Sequence, residues 1–236
     1  MGEGWPLAGR IVLVTGAGDG LGRATALALA EAGATVIATS RRRRKLEALD
    51  DQIRAAGKAV TLLPLDLAEP EKLLPIGPSL FQRFGRLDAV IHCAGLLGKL
   101  MPVAHLDLDT VRQTTTVNLV ATQALIATLD PLLRAVPDGR ALFVTDRLAS
   151  RGRPFLGAYA AGKQAMEALV LAYAAETRQT SLAVRLVAPP PMDTVLRRTA
   201  YPGEPAAKQL PPAAAAERLL SLLAAAELPK AEIINL

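Results

Sequence analysis

The sequence predicts one α/β domain built on a doubly wound parallel sheet of about seven strands, with helices on both faces. Short apolar runs alternate with helical patterns along the 236 residues, and such alternation forms parallel βαβ units with right-handed crossovers. Hydrophobic residues make up 51% of the chain and aromatics only 3%. Ala, Val, Leu and Ile must therefore build the core, which suits helices packed on a parallel sheet. Because no linker interrupts the alternation, residues 1–236 are expected to form a single domain.

The strand segments share short runs rich in Val, Ile and Leu, bounded by glycine, proline or polar residues. Pro64 lies inside the third segment and weakens that prediction, because proline has no N–H to donate to a β-ladder. The predicted strands are 10–16, 34–40, 59–66, 87–93, 140–146, 181–188 and 232–236.

The helical segments have apolar residues at helical spacing, and Gly33 and Gly57 follow the first two as C-cap signals. A different pattern occupies residues 189–212, which contain seven prolines. A long connection of this kind in a compact domain is often a lid or a binding loop, so we expect an irregular substrate or cofactor loop here. The predicted helices are 20–33, 43–56, 71–84, 108–133, 157–177 and 213–227.

Composition also bounds the environment of the protein. No apolar run approaches the ~20 residues of a membrane span, and residues 1–10 lack a signal pattern. Cys93 is the only cysteine, so no intrachain disulfide can form. We therefore expect a soluble, cytoplasmic protein without a membrane partner.

The net charge of +5 is concentrated in one basic run, Arg41 to Arg44, which Lys45 extends. Three interpretations are open at this point. The run is a nucleic-acid patch, a solvated helix start or a clamp for a phosphate group. The segment that precedes it decides among them.

A glycine-rich turn, TGAGDGLG at residues 15–22, joins the first predicted strand to the first helix. Gly16 can make the tight turn, Gly20 lets the backbone approach a pyrophosphate, and Gly22 lets the helix pack closely on the sheet. The helix N-terminus then offers free N–H groups and a positive dipole end to the phosphates. Because the turn lies between a strand and a helix, it predicts a Rossmann-type dinucleotide site.

The residues after the second strand indicate which dinucleotide binds. That strand ends at Thr39 and Ser40, and Arg41 follows where an NAD-binding protein has an acidic residue for the ribose 2′-OH. Arg41, together with Arg42, can form a bidentate pair with a 2′-phosphate. This favours NADP(H) over NAD(H) and the phosphate clamp over a nucleic-acid partner. Asp19, inside the glycine turn, argues the other way, because its charge would oppose a nearby phosphate.

Across nearly its full length, the chain resembles the single-domain short-chain dehydrogenases/reductases. The matching segments are TGAGDGLG at Thr15, LDL at Leu65, HCAG at His92, VNL at Val117, YAAGK at Tyr159 and PPPMDT at Pro189. The resemblance implies an oxidoreductase that transfers a hydride between a nicotinamide and a carbonyl or alcohol substrate. It also implies a homodimer or homotetramer that pairs the helices 108–133 and 157–177 across a two-fold axis.

The resemblance also implies roles for individual residues. Asp66 and Leu67 would border the adenine, Asn118 would help to order a proton-relay water, and Pro189 with Thr194 would approach the nicotinamide. With the glycine turn, the expected cofactor site comprises Gly16, Asp19, Gly20, Leu21, Gly22, Ser40, Arg41, Asp66, Leu67, Cys93, Ala94, Gly95, Tyr159, Lys163, Pro189 and Thr194.

Tyr159 and Lys163 are four residues apart on a predicted helix, so they share one face. A phenol with a reference pKa of about 10 is a weak acid or base at neutral pH. A nearby ammonium and the positive nicotinamide ring are expected to lower that pKa. Tyr159 could then exchange a proton with the substrate, and Lys163 would also hold the nicotinamide ribose.

The chain departs from the family at the position of the catalytic serine, thirteen residues before the tyrosine, where Asp146 stands. Thr145 and Ser150 are near but out of register. An ionised carboxylate only accepts hydrogen bonds, and it opposes an oxyanion. Three interpretations remain open: Asp146 is protonated and donates, it binds a cationic or hydroxyl-bearing part of the substrate, or the site is weak or inactive.

Two further departures affect the same region. His92-Cys93 replace the Asn-Asn pair that is more common in the family, and we interpret His92 as structural and Cys93 as a buried filler, with no metal site. Pro190 replaces a glycine, which fixes φ and removes an N–H donor, so the loop there is expected to be reshaped. The main hypothesis is an NADP(H)-dependent oxidoreductase with a partly hydrophobic small-molecule substrate. The alternative is a dinucleotide-binding sensor or scaffold without catalysis.

Overall fold

A computed structural model describes Gly4 and residues 6–147 and 152–236. Seven parallel strands form one sheet in the order β3-β2-β1-β4-β5-β6-β7, which confirms the predicted fold class. The strands are β1 (Ile11–Thr15), β2 (Thr35–Ser40), β3 (Val60–Pro64), β4 (Ala89–His92), β5 (Arg140–Val144), β6 (Ala183–Ala188) and β7 (Ile233–Asn235).

Helices cover the sheet on both faces, and each face has its own apolar core. Leu29, Leu46 and Leu219 belong to one core, and Leu125 and Met166 belong to the other. The α-helices are α1 (Gly20–Glu31), α2 (Arg43–Ala55), α3 (Ile76–Phe84), α4 (Leu108–Thr115), α5 (Ala121–Arg134), α6 (Gly157–Glu176), α7 (Val195–Ala200) and α8 (Pro212–Leu223).

The strand order fixes where a ligand can bind. The chain runs outward from β1 to β3 on one side and from β4 to β7 on the other, so the order reverses between β1 and β4. In open α/β sheets, the crevice at the carboxyl ends of the strands beside this switch point holds the ligand. Pro64 ends β3 at the edge of the sheet, where the missing N–H interrupts no internal ladder.

The predicted helix 108–133 contains a π-helical turn, which the sequence analysis did not predict. Residues Thr116–Val120 form this turn between α4 and α5, and the Ala121 N–H bonds to the Thr116 carbonyl. A π-turn admits one extra residue while the apolar face continues on both sides, so the hydropathy period does not reveal it. Asn118 lies at its centre and is buried.

The proline-rich stretch 189–212 is more regular than expected. It contains α7, a short 3-10 turn at Ala206–Lys208 and an isolated bridge between Met192 and Leu210. The side chain of Thr194 caps α7 by accepting from the Arg197 N–H at 3.1 Å. A local capping interaction thus forms a short helix that the proline count concealed.

Two helices have boundaries that differ from the predicted ones. The predicted helix 71–84 begins as a separate 3-10 turn, Pro70–Leu73, before α3, and α8 ends at Leu223 rather than at residue 227. The helical stretch Leu108–Arg134 is long enough for a membrane span, and its most apolar window of 18 residues has a mean hydropathy of 1.3. Half of its most apolar window is buried inside the protein, as it is in core helices of soluble proteins, so the stretch is weak evidence for a span.

Candidate dinucleotide and catalytic site

A cleft of about 900 Å³ opens at the carboxyl ends of the strands. The glycine turn lies in one part of it, and the tyrosine and lysine of α6 line another. Asn118 is the only predicted site residue that does not line the cleft. The predicted residues that do are Gly16, Asp19, Gly20, Leu21, Gly22, Ser40, Arg41, Asp66, Leu67, Cys93, Ala94, Gly95, Asp146, Tyr159, Lys163, Pro189 and Thr194.

The backbone of the glycine turn packs closely against its neighbours only because its glycines lack side chains. Gly16 has φ +69°, and a Cβ there would lie 2.9 Å from the Cα of Ala94. A Cβ on Gly22 would lie 2.4 Å from the Gly16 carbonyl oxygen, so α1 could not pack so closely. Gly20 has φ +51° and begins α1, where free N–H groups face the cleft.

Asp19 does not cap α1, although it occupies the N-cap position. Its carboxylate accepts from Arg42 Nη2 at 2.6 Å and from Lys45 Nζ at 3.3 Å. Two cations at the start of α2 therefore offset the negative charge that argued against a phosphate. Arg41 remains exposed and lines the cleft beside them.

The residues predicted to border an adenine, Asp66 and Leu67, form part of the cleft wall. Asp66 Oδ1 accepts from the Ala68 N–H at 3.0 Å, which fixes the turn after β3. Leu67 is buried in the apolar core and also lines the cleft. A Cβ on Gly18 would lie 2.6 Å from Ser40 Oγ, so a side chain there would have to displace the Ser40 hydroxyl.

Tyr159 and Lys163 are both buried, each with 4% exposure, and both line the cleft. The phenol Oη of Tyr159 donates to Asp146 Oδ2 at 3.4 Å, and Lys163 Nζ donates to the Val144 carbonyl at 3.0 Å. Burial, followed by the charge of Asp146, raises the pKa of Tyr159 well above its usual value. In the protein alone this pKa is not lowered, because burial and the Asp146 carboxylate both favour the protonated phenol, and the expected effect of a nicotinamide ring stays a prediction.

Burial has the opposite effect on the amine of Lys163 and lowers its pKa to about 8. The carboxylate of Asp146 works against this shift by favouring the ammonium form. Lys163 is therefore mostly charged at neutral pH and loses its charge just above it.

A directed chain of hydrogen bonds runs beneath the cleft through His92. The Ala94 N–H donates to Thr15 Oγ1 at 3.2 Å, and the Thr15 hydroxyl lies 2.8 Å from His92 Nδ1. His92 Nε2 lies 3.2 Å from Thr122 Oγ1, whose hydroxyl donates to the Asn118 carbonyl at 2.9 Å. The Thr122 hydroxyl uses its single proton on the Asn118 carbonyl, so it must accept from His92 Nε2, and Nδ1 accepts from the Thr15 hydroxyl. The network therefore assigns the tautomer with the proton on Nε2.

The buried side chains of this hydrogen-bond network have structural rather than ionic roles. Burial lowers the pKa of His92 to about 3, so the imidazole is neutral, as the sequence analysis expected of a structural residue. The side-chain amide of Asn118 is bonded to both the N–H and the carbonyl of Leu96, at 2.8 and 2.9 Å. Its predicted role in ordering a water molecule stays a prediction.

Cys93 packs between two apolar clusters, and burial raises the pKa of its thiol to about 12. This agrees with a filler rather than a reactive group. Thr145, which precedes Asp146, donates its hydroxyl to Glu167 on α6, and Ser150 lies outside the described residues. Within residues 6–147 and 152–236, no three His, Cys, Asp or Glu side chains form a metal-binding group.

The structure adds a group of residues that the sequence analysis missed. Arg197 on α7 is paired with both carboxylate oxygens of Glu204, at 2.6 and 2.7 Å, and its guanidinium lies 3.8 Å from the centre of the Tyr201 ring. Leu97 and Leu156 pack with Tyr159 as an apolar cluster on the same side. An Arg and a Glu seven residues apart in a proline-rich stretch give no periodic signal.

The comparisons with known proteins agree with this geometry. The family model for short chain dehydrogenases matches residues 10–205. The uncharacterized oxidoreductase YciK of Escherichia coli K12 is 35% identical over 207 residues, which are 86% of this chain and 82% of that protein.

Two solved structures superpose with a TM-score of 0.91 over 98% of both chains. One, from Shigella flexneri 2a str. 301, is 32% identical and is complexed with NADP. The other, from Escherichia coli CFT073, is 33% identical and is complexed with NADPH. With its sheet order and its family match over most of the sequence, the chain belongs to the short chain dehydrogenase family of oxidoreductases.

Proposed function

We propose that this protein is an NADP(H)-dependent oxidoreductase that transfers a hydride between the cofactor and a carbonyl or alcohol carbon of a partly hydrophobic small molecule. The observation that carries the proposal is that one cleft contains both the glycine turn and the Tyr159–Lys163 pair. A dinucleotide bound at the turn can therefore extend to the two side chains that handle protons.

The preference for NADP(H) rests on the start of α2. Arg41 and Arg42 line the cleft beside the end of β2, Lys45 is bonded to Asp19 next to them, and Arg41 rather than an acidic residue follows β2. Arginine forks match phosphate oxygens, and a lysine adds a point charge. The two structural relatives complexed with NADP and NADPH support the same choice.

The chain supplies the proton chemistry, and a bound nicotinamide would supply the hydride chemistry. Tyr159 carries its proton at neutral pH, so it can donate a hydrogen bond and then a proton to a carbonyl oxygen. A charged Lys163 stabilises the phenolate that this transfer leaves. Asp146 opposes that charge, which makes the site a weak one for simple ketones.

The test is NADPH oxidation at 340 nm with a panel of ketones and aldehydes. Tyr159→Phe is expected to reduce turnover by about 10²-fold or more, the usual contribution of a positioned acid, without weakening NADPH binding. Tyr173→Phe is the matched control, since its hydroxyl bonds to Asp130 and does not line the cleft. If both variants keep full activity, the catalytic role of Tyr159 is wrong.

A second candidate is a dinucleotide-binding sensor or scaffold that lacks catalysis. The observation that favours it is the hydrogen bond from Tyr159 to Asp146, which keeps the phenol protonated and occupied. It predicts tight NADPH binding without turnover of any panel member. In that case, Asp146→Ser is expected to restore measurable ketone reduction, unless Pro190 prevents the nicotinamide end from closing.

We also propose a cytoplasmic homodimer or homotetramer. Leu108, Val111 and Val120 are exposed apolar residues along the α4–α5 stretch, at 68%, 36% and 41% exposure. Exposed apolar side chains along one helical stretch commonly mark an interface. Light scattering on the purified protein should give twice or four times the 24.8 kDa chain mass, and a monomer would contradict this proposal.

A further inference from the structure

The end of β5 is bonded to α6 by three hydrogen bonds from consecutive residues. On the helix, the three bonded residues are four apart, so they lie along one face of α6. The bonded pairs are Lys163 Nζ with the Val144 carbonyl at 3.0 Å, Thr145 Oγ1 with Glu167 Oε1, and Tyr159 Oη with Asp146 Oδ2 at 3.4 Å. Two of these pairs hold the residues of the proposed proton chemistry, and the third pair holds Glu167.

Glu167 is buried, with 9% exposure, and does not line the cleft, whereas Thr145 does. Both of its carboxylate oxygens accept hydrogen bonds, Oε1 from the Thr145 hydroxyl and Oε2 from Gln164 Nε2 at 3.0 Å. Burying a carboxylate is unfavourable unless such donors are present, and the bonds in turn hold the donors in fixed orientations. Glu167 can therefore influence the reaction only through the residues that it contacts.

One of these effects is mechanical and acts through Thr145. The Thr145 N–H donates to the Val187 carbonyl of β6 at 2.8 Å, and its hydroxyl donates to Glu167 of α6. Its backbone and its side chain are thus fixed by two different elements. The carbonyl before it and the carboxylate after it consequently keep their places opposite α6.

The other effect is electrostatic and acts on Lys163, one helical turn away. The charge of Glu167 favours the ammonium form and so opposes the burial that lowers the pKa of Lys163 to about 8. Asp146 acts in the same direction from the end of β5. The other titratable groups near the ammonium are the Cys93 thiol and the His92 imidazole, whose pKa values of about 12 and about 3 leave them uncharged near pH 8. Asp146 and Glu167 are therefore the two anions that keep Lys163 charged.

We propose that Glu167 is a positioning residue for the reaction, which keeps Tyr159 and Lys163 in their working places through its bond to Thr145 and its charge beside Lys163. The inference rests on the proposed oxidoreductase function. Glu167 itself touches neither substrate nor cofactor. The proton still passes from Tyr159 Oη to the carbonyl oxygen, and the Lys163 ammonium stabilises the phenolate that remains.

The bond is tested at Thr145. Thr145→Val keeps the shape of the side chain and removes the hydroxyl, so kcat for the best ketone of the panel should fall by roughly 10-fold, less than the ~10²-fold cost of a misplacement of about 1 Å. The Kd for NADPH, which also reports correct folding, should not change. Thr145→Ser restores the hydroxyl and should recover most of the lost kcat. An unchanged kcat in Thr145→Val, or an equal loss in Thr145→Ser, would overturn the proposal.

The charge is tested at Glu167. Glu167→Gln keeps an acceptor for the Thr145 hydroxyl and removes the anion, so Lys163 should lose its proton at a lower pH. The fall of kcat on the alkaline side should then begin at least about 0.5 pH unit lower than in wild type. Glu176→Gln, the same change at an exposed carboxylate of α6 outside the cleft, is the matched control. Identical pH profiles for the two variants would overturn the proposal.

The ionisation of Lys163 can also be followed without turnover. In protein that contains carbon-13-labelled lysine, the NMR signal of Lys163, assigned by its loss in Lys163→Arg, should titrate with a midpoint of about 8 in wild type and a lower one in Glu167→Gln. Equal midpoints in Glu167→Gln and Glu176→Gln would overturn the proposal. If NADPH binds but wild type reduces no ketone of the panel, the proposed oxidoreductase function fails, and this titration still decides whether Glu167 acts on Lys163.

Discussion

At the scale of single residues, His92 shows how a buried polar group organises the site without touching it. It links the end of β1 to the π-helical turn through Thr15 and Thr122, and both of its ring nitrogens are hydrogen-bonded. Because burial lowers its pKa to about 3, it stays neutral across the physiological range. The chain of bonds can therefore hold the Ala94 amide and the Asn118 carbonyl in fixed orientations.

A neutral His92 with its proton on Nε2 predicts a specific nitrogen-15 NMR signature. The imidazole of His92 should show a proton on Nε2 and constant shifts from pH 8 to pH 5. His105 is the only other histidine, so His105→Asn leaves a single imidazole to observe. A midpoint near 6.5, or a proton on Nδ1, would contradict the hydrogen-bond chain.

The lowered pKa of His92 also predicts that the stability of the fold depends on pH. His92 has a lowered pKa in the folded state, so between about 6.5 and about 3 the unfolded chain binds a proton that the folded chain does not. Stability should therefore fall as pH decreases through this window, with a contribution of ~1.4 kcal/mol per pH unit. Urea unfolding of wild type and His92→Asn between pH 7 and pH 4.5 measures it. Parallel curves for the two proteins would show that His92 contributes nothing to this slope.

At the scale of elements, Asp19 joins the start of α1 to the start of α2. Its ion pairs with Arg42 and Lys45 are largely exposed, with 39% to 58% of these side chains accessible, so each contributes little to stability. Under the proposed NADP(H) function, we expect the same two cations to attract a 2′-phosphate. Asp19 would then compete with that phosphate for them.

Removing this competitor should improve NADPH binding. Asp19→Asn is expected to lower the Kd for NADPH by about 2- to 5-fold, the range of an exposed ion pair, and to leave the Kd for NADH unchanged. Glu47→Gln is the matched control, because Glu47 pairs with Arg43 on the same helix. Equal changes for both cofactors would mean that Asp19 acts on the turn rather than on the phosphate. Fluorescence titration with NADPH and with NADH measures both Kd values. Repeating it at a second salt concentration separates an effect on the phosphate, which salt screens, from an effect on the turn.

The elements also show how far sequence reasoning reaches. Each predicted strand contains an observed one, because β-branched runs and the residues that bound them are local signals. The π-turn around Asn118 and the short helix α7 escaped prediction, because one keeps the apolar period and the other depends on a cap at Thr194. The glycine turn and the Tyr159–Lys163 pair could be located from motifs. The bonds from Asp19 to α2 and from Tyr159 to Asp146 could not, since they join residues whose separation only the fold determines.

At the scale of the whole molecule, the proposed cofactor should stabilise the fold, because the cleft that would hold it exists only in the folded protein and is lined by residues from both halves of the sheet. NADPH at 100 times its Kd is expected to add about 2.7 kcal/mol to the free energy of unfolding. For a chain of this size, that corresponds to an increase in Tm of roughly 5–10 °C. Differential scanning fluorimetry with NADPH and NADH measures it, and an equal or larger increase with NADH would contradict the NADP(H) preference.

The edge position of Pro64 also bears on how copies of the chain can associate. One side of an edge strand has no partner strand, so another molecule can add its own strand there, and repeated addition leads to aggregation. Pro64 removes one donor at the end of β3, where such addition would begin. Copies that met along this edge would gain an incomplete ladder, so β3 is a poor template for strand addition.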